Sequence, residues 1–197
     1  MTNILILGAN GQIARVATQL LLEETDATLT LYLRRASRLS AWEGHARVRL
    51  IEGDVRDEAA LAAAMAGQDI VYANLDGALE AQARAILAAM ITAGVRRLIF
   101  VSSIGIYDEV PGERAGAVLD PYRRSAAIIE GSKVDYTLIR PAWLNDRDII
   151  AYGTTRKGES FANPRATVSR KSVAYLILRL ARQPGWGVGE SFGLHAQ

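Results

Sequence analysis

The stretch "ILILGANGQIARVATQLLL", Ile4 to Leu22, changes its hydrophobic rhythm at Gly8-Ala9-Asn10-Gly11. Before the break, Ile4-Leu5-Ile6-Leu7 is apolar without alternation, as expected of a strand buried on both faces. After it, the spacing becomes helical from Gln12 to Glu23. Two glycines at such a junction point to an anion. The carboxyl end of a first parallel strand opens a crevice, and a helix N-terminus there presents unpaired N–H groups and the positive end of its dipole. Gly8 then serves the sharp turn, and Gly11 lets backbone come close to a pyrophosphate. Asn10, Gln12 and Ile13 fall on the same phosphate-facing loop. The spacing is G-x-x-G followed by Ala14, a short pattern whose weight comes from its place between strand and helix.

Outward from this junction, strands are expected at Asn3 to Leu7, Thr28 to Leu33, Val48 to Ile51, Ile70 to Ala73, Leu98 to Val101 and Tyr136 to Ile139. Helical patterns lie between them at Gln12 to Glu23, Glu58 to Met65, Ala78 to Ala93 and Pro121 to Gly131, with another at Arg170 to Arg182. In the third of these, Leu79, Ala83, Ile86, Met90 and Ala93 make one apolar stripe that Gly94 ends. Alternating strands and helices imply a doubly wound, Rossmann-like α/β fold with a mainly parallel sheet and helices on both faces, because each parallel connection needs a crossover. The 197 residues suit one such domain, residues 1–197. Gly185 to Gly193 reads as a closing turn with a short terminal strand.

Composition narrows the function classes. Half the residues are hydrophobic and 22% charged, a globular balance. The net charge is +2, with the basic residues scattered in pairs and no basic stripe carrying aromatics, so no nucleic-acid surface is expected. Cysteine is absent, which removes disulfides, thiol nucleophiles and thiolate metal sites. His45 and His195 stand too far apart in the chain to suggest a metal cluster. No apolar run approaches the roughly 18 residues of a membrane span and no basic leader precedes the first strand, so a cytoplasmic protein without a membrane partner is expected.

The end of the second strand reads "LTLYLRRASRLS", with Arg34, Arg35 and Arg38 and no acid. An acid there would hold a ribose 2′-hydroxyl, whereas guanidinium groups suit a 2′-phosphate. NADP is therefore expected over NAD. After the third strand comes "EGDVRD". Asp54 there suits an adenine amino group and Val55 the adenine ring, or Asp54 and Asp57 serve only to cap the next helix; Asp57 is read as a cap.

"GANGQIA", "EGDVRD", "VSSIGIY", "PYRRSAAIIE" and "DYTLIRPAWL" together resemble the atypical short-chain dehydrogenase/reductases of the NmrA-like NAD(P)-binding group. The resemblance runs from Met1 to about Gln183 and includes "VSRKSVAYLILRL". It implies a serine and a Tyr-x-x-x-Lys pair for acid–base work, the lysine lowering the tyrosine pKa. Ser102 and Ser103 end the fifth strand, the first placed toward the cofactor and the second as the catalytic candidate, and Tyr122 matches the tyrosine. Ala126 stands at the lysine position. On a helix Arg123 points about 100° away from Tyr122 and Arg124 about 200°, so neither inherits the lysine's face; Lys133 is more distant. Tyr122 thus fits a catalytic phenol and a helix-entry residue after Pro121 equally, and Tyr107 is a second phenol if its loop folds inward.

By the same resemblance, "IRPAWL" runs beside the nicotinamide. Pro141 fixes the backbone there, and Ala142, Trp143 and Leu144 offer an apolar wall, with core filling the alternative for Trp143. Asn74, after the fourth strand, is placed to reach the cofactor ribose. The chain is short for the superfamily, which leaves little room for a sugar-nucleotide subdomain and counts against an extended epimerase. Two functions follow: an NADPH-dependent reductase passing hydride to a small conjugated acceptor such as a quinone or flavin, and a non-enzymatic NADP-binding redox sensor that reports to a protein partner.

Overall fold

The computed structural model describes every residue except Pro111, Glu113 to Ala115, Ala162, Pro164 and Gln197. Strands β1 (Asn3–Leu7), β2 (Thr28–Leu33), β3 (Val48–Glu52), β4 (Ile70–Ala73), β5 (Arg97–Val101), β6 (Asp135–Pro141), β8 (Gly153–Arg156) and β10 (Glu190–His195) form one sheet in the order β3-β2-β1-β4-β5-β6-β10-β8. All neighbours are parallel except β8, which runs antiparallel on β10 at the edge. The order reverses between β1 and β4, the switch point at which a doubly wound sheet opens a crevice beyond its strand ends. A separate two-stranded pair joins β7 (Leu144–Asn145) to β9 (Val168–Ser169).

Alternation along each strand assigns its side chains to two cores. Ile4 and Ile6 of β1, with Leu29, Leu31, Ile99 and Ile139, pack with α1 (Gln12–Glu24) and α5 (Arg170–Arg182). Leu5 and Leu7, with Val71, Leu98, Phe100 and Leu138, pack on the other face with α2 (Glu58–Met65), α3 (Leu79–Ala93) and α4 (Asp120–Glu130). This two-sided burial explains the unbroken apolar runs of β1 and β4.

The ends of the helices follow local chemistry. Asp57 caps α2, its Oδ1 accepting from the Ala60 amide at 3.0 Å. Gly94 closes α3 at φ +74°, in the left-handed region that glycine enters without strain. Ser169 caps α5 by accepting from the Ser172 amide at 2.9 Å. A 3₁₀ turn, Ala36–Trp42, follows β2. The terminal strand begins at Glu190 and runs to His195, longer than the closing turn at Gly185 to Gly193 suggests. Among the described residues no helix is long and apolar enough to cross a membrane.

Candidate functional site

The C-terminal ends of β1, β4, β5 and β6 bring the glycine loop, Asn74, Ser102 and Pro141 to one edge of the sheet. Gly8, at φ +71°, donates its amide to the Tyr32 carbonyl of β2 at 3.0 Å, and Asn74 donates its amide to the Leu7 carbonyl at 3.0 Å. The loop is thereby fastened to strands on both sides. α1 begins without a side-chain cap and without an acid in its first turn. Gly11 donates to the Gly8 carbonyl at 2.9 Å and Arg15 to the Gly11 carbonyl at 2.9 Å, which leaves the amides of Gln12, Ile13 and Ala14 with no partner among the described residues. Three uncommitted N–H groups at a helix start are the equipment of an anion site.

The glycines also meet a constraint that local sequence does not announce. A Cβ on Gly8 would lie 2.2 Å from the Asn74 carbonyl oxygen, and a Cβ on Gly11 would lie 2.0 Å from the Asn74 side-chain nitrogen. The missing Cβ of Gly11 makes room for Asn74. Its φ of −62° is one that any residue adopts, so close approach alone demands glycine there. Asn74 is therefore a wedge under the loop, with its amide at the base of the crevice.

In the turn after β2, Arg34, Arg35 and Arg38 are exposed, and their guanidinium groups make no hydrogen bond or ion pair among the described residues. Glu52, at the end of β3, accepts from the Ala36 amide at 2.8 Å and so shapes the turn that carries them. Sequence reading missed this acid because it lies beyond the next connection; the register Leu33 to Glu52 brings it alongside. Asp54 is held by Arg56 through Nε at 3.1 Å, Nη2 at 2.7 Å and the backbone amide at 2.9 Å. Those hydrogen bonds bring its carboxyl down to about 2. Asp54 therefore does not cap α2, which Asp57 does, and it stays ionised as an acceptor. Val55 is buried at 7% exposure in the cluster that contains Tyr32 and Leu7, so its side chain belongs to the floor beneath the crevice.

At the opposite end, Ser102 is 5% exposed and its Oγ is buried with no hydrogen-bond partner among the described residues. A buried hydroxyl without a partner costs free energy unless something bound supplies one. Ser103 donates to the Ile104 carbonyl at 3.2 Å. Tyr122 sits half-buried in the first turn of α4. Burial raises its phenol above the ordinary value, and the Asp76 carboxylate pushes it further the same way. Ala126 is fully buried one turn on. The nearby cations are spent elsewhere: Arg123 on Asp108 and the Gly105 carbonyl, Arg124 on Glu80 at 3.5 Å. Lys133 is exposed beyond the other end of α4.

Two expectations change at this end. The loop after β5 does fold inward, but Tyr107 commits its hydroxyl, donating to Glu130 at 2.6 Å, with Ser191 at 3.2 Å. Burial first, and then the bond to Glu130, raises its phenol pKa, so it offers no second acid–base group. Core filling is also excluded for Trp143, which is 74% exposed, whereas Ala142 is buried and donates its amide to Leu194 at 2.8 Å. Pro141 is buried, its carbonyl accepting from the Ile104 amide at 3.2 Å. Among the described residues no group of acidic and histidine side chains could hold a metal ion.

Open helix-start amides, unpaired arginines after β2 and an unsatisfied Ser102 hydroxyl, all along one sheet edge, fit an extended dinucleotide. Known proteins agree. The NAD(P)H-binding family model matches residues 8–184. A Rossmann-fold NAD(P)-binding family protein from Shigella flexneri is 44% identical, with a TM-score of 0.86 over 100% of this chain and 94% of that one. A short-chain dehydrogenase/reductase (wide type) from Veillonella parvula DSM 2008, solved in complex with NADP, is 27% identical, with a TM-score of 0.88 over 98% and 94%. YhfK of Bacillus subtilis (strain 168), described as an uncharacterized sugar epimerase, is 28% identical over 89% of this chain and 86% of its own. The chain belongs to the NAD(P)H-binding family, with an oxidoreductase-like Rossmann fold that binds NAD(P).

Proposed function

We propose that the protein is an NADPH-dependent reductase that passes hydride to a small conjugated acceptor, a quinone, a flavin or a similar molecule. The observation that carries the reading is the state of Tyr122, a phenol raised by burial and Asp76, with Ala126 where a lysine would lower it. An alcohol dehydrogenase or a sugar epimerase must take a proton from a hydroxyl, and a phenol raised in this way, with no cation to lower it, is a poor base for that at neutral pH. Epimerisation, which the name of the Bacillus subtilis relative suggests for that protein, does not suit this chain for that reason. A conjugated acceptor takes its proton from water once reduced, so no such base is needed.

When bound, NADPH supplies the hydride. The chain's part is to hold and orient. The amides of Gln12, Ile13 and Ala14 receive pyrophosphate oxygens, and Arg34 and Arg35 receive the 2′-phosphate. The NADP complex of the Veillonella parvula relative supports this choice of cofactor. Asn74 wedges the loop, and the Ser102 hydroxyl finds its partner on the bound cofactor or acceptor.

The same loss of an acid–base pair also suits a sensor that binds NADP and signals to a protein partner. Following NADPH absorbance with a panel of quinones and flavins separates the two. Sustained, enzyme-dependent oxidation is the expected result; tight NADPH binding without turnover on any acceptor would assign the sensor.

A further inference from the structure

Asp54 follows the carboxyl end of β3, and one residue ties it to the glycine loop. Tyr32 of β2 receives the amides of Gly8 at 3.0 Å and Ala9 at 3.4 Å on its carbonyl, and donates its hydroxyl to the Asp54 carbonyl at 3.1 Å. A Cβ on Gly53 would lie 2.1 Å from that hydroxyl, so the approach is close. The carboxylate itself lies near the turn after β2, since the Arg34 charge helps to draw its pKa down. Next to it, the Val55 amide has no partner among the described residues. A carboxylate acceptor beside an open N–H donor complements the 6-amino group and N1 of adenine. A 6-oxo purine meets the same pair with its groups reversed, carbonyl against carboxylate and N1–H against N–H, and a site built for one hydrogen-bond pattern rejects the other.

The carboxylate is 36% exposed, and a side chain so open turns freely in water unless something holds it. Arg56 does. Its backbone amide and Nε donate to Oδ1 at 2.9 and 3.1 Å, and its Nη2 donates to Oδ2 at 2.7 Å. The guanidinium thus grips both oxygens as a fork, which fixes the plane of the carboxylate. Oδ1 takes two of these bonds and Oδ2 one, so Oδ2 keeps a lone pair for a further donor. We propose that Arg56 is a positioning residue for the cofactor: by holding the Asp54 carboxylate in one orientation, it makes the site select the 6-amino group of adenine over a 6-oxo purine. This inference rests on NADP occupying the sheet edge as read above, and it holds whichever acceptor is reduced.

The probes are NADP⁺ and nicotinamide hypoxanthine dinucleotide phosphate, which differ only at the purine, titrated by calorimetry into the full-length protein. The parent should bind NADP⁺ at least about tenfold more tightly than the hypoxanthine analogue. In Arg56→Ala that ratio should shrink to about threefold or less, because the carboxylate is no longer aimed. Arg56→Lys, which keeps the charge without the planar fork, should lose the ratio nearly as fully. Asp54→Asn should abolish it, since an amide can turn to meet either a 6-amino or a 6-oxo group. A ratio unchanged in Arg56→Ala, with both dinucleotides weakened equally, overturns the inference, as Arg56 would then supply charge alone. A ratio fully kept by Arg56→Lys also overturns it, and one unchanged in Asp54→Asn removes the base reading on which it depends. If the parent binds neither dinucleotide, the NADP assignment itself falls and the inference with it; tight NADP⁺ binding with no base preference overturns the inference and leaves that assignment standing.

Discussion

Arg140, fully buried on β6, forms an ion pair with Glu109, itself 4% exposed, and the same carboxylate accepts the amides of Gly105 at 3.0 Å and Tyr107 at 2.8 Å. The remaining Arg140 donors reach Ser191 Oγ at 3.0 Å and the carbonyls of Ser191 at 3.2 Å and Thr155 at 3.4 Å. Glu109 in turn offers its carbonyl to the Phe161 amide at 3.0 Å. One guanidinium thus links β6, β10 and β8 to the loop that leaves Ser102 and Ser103. A charge so deep in a protein is tolerable only because every side of it is met.

Glu109→Ala should therefore be strongly destabilising, by about 3–5 kcal/mol, because it strands the buried Arg140 charge. Urea denaturation measures it. Arg140→Met combined with Glu109→Leu should recover much of the loss, since an apolar pair removes the stranded charge. A double variant as unstable as Glu109→Ala would mean that the loop amides of Gly105 and Tyr107, and not the charge, dominate.

The packing of Gly11 against Asn74 makes a second prediction. Gly11→Ala places a methyl where the Asn74 amide lies, 2.0 Å away, so it should weaken NADPH binding by displacing the wedge. In an Asn74→Ala background the same change should cost little more, because the obstacle is gone, and the non-additivity is read in a double-mutant cycle by calorimetry. Gly8→Ala should cost more stability than Gly11→Ala: its φ of +71° alone implies a strain of about 1–3 kcal/mol, and its obstacle is backbone.

Cofactor choice is tested at the turn after β2. NADPH should bind at least about tenfold more tightly than NADH, as charge-assisted bonds to a 2′-phosphate imply. Arg34→Ala with Arg35→Ala should bring the two affinities together by weakening NADPH alone. Equal affinities in the parent would remove the assignment of these arginines.

The fold was legible because its signals are local. Ile4 to Leu7 reads as a doubly buried strand and Leu79 to Ala93 as one apolar stripe, and both are so in the structure. What escaped is long-range or short. β7 and β9 are two residues each and carry no periodicity, and β8, with the sequence Gly-Thr-Thr-Arg, lacks an apolar run. Arg140 gave no sign of burial, since its partner lies 31 positions away in a loop. At the site, glycines and arginines announced an anion, but that Asn74 fills the space beside Gly11 is a fact of tertiary packing. Trp143 shows the limit from the other side, because nothing in its neighbours marks an indole that stays in solvent.

The last prediction concerns Tyr122. Its phenol is raised above its ordinary value by burial and then by Asp76, so it remains protonated across the neutral range. It can lend a hydrogen bond but has no cation to help it shed and regain a proton. Tyr122→Phe should accordingly keep reductase activity within about tenfold of the parent, since general acid–base catalysis typically contributes 10²–10⁴-fold and is not being supplied here. The pH profile follows with its sign: a phenol raised above its ordinary value stays protonated and adds no limb between pH 6 and 9, so parent and variant should run parallel there. A larger loss with NADPH affinity unchanged, together with disappearance of an alkaline limb below pH 9, would show that Tyr122 acts as an acid whose pKa falls when substrate binds, and that another group has taken the place left by Ala126.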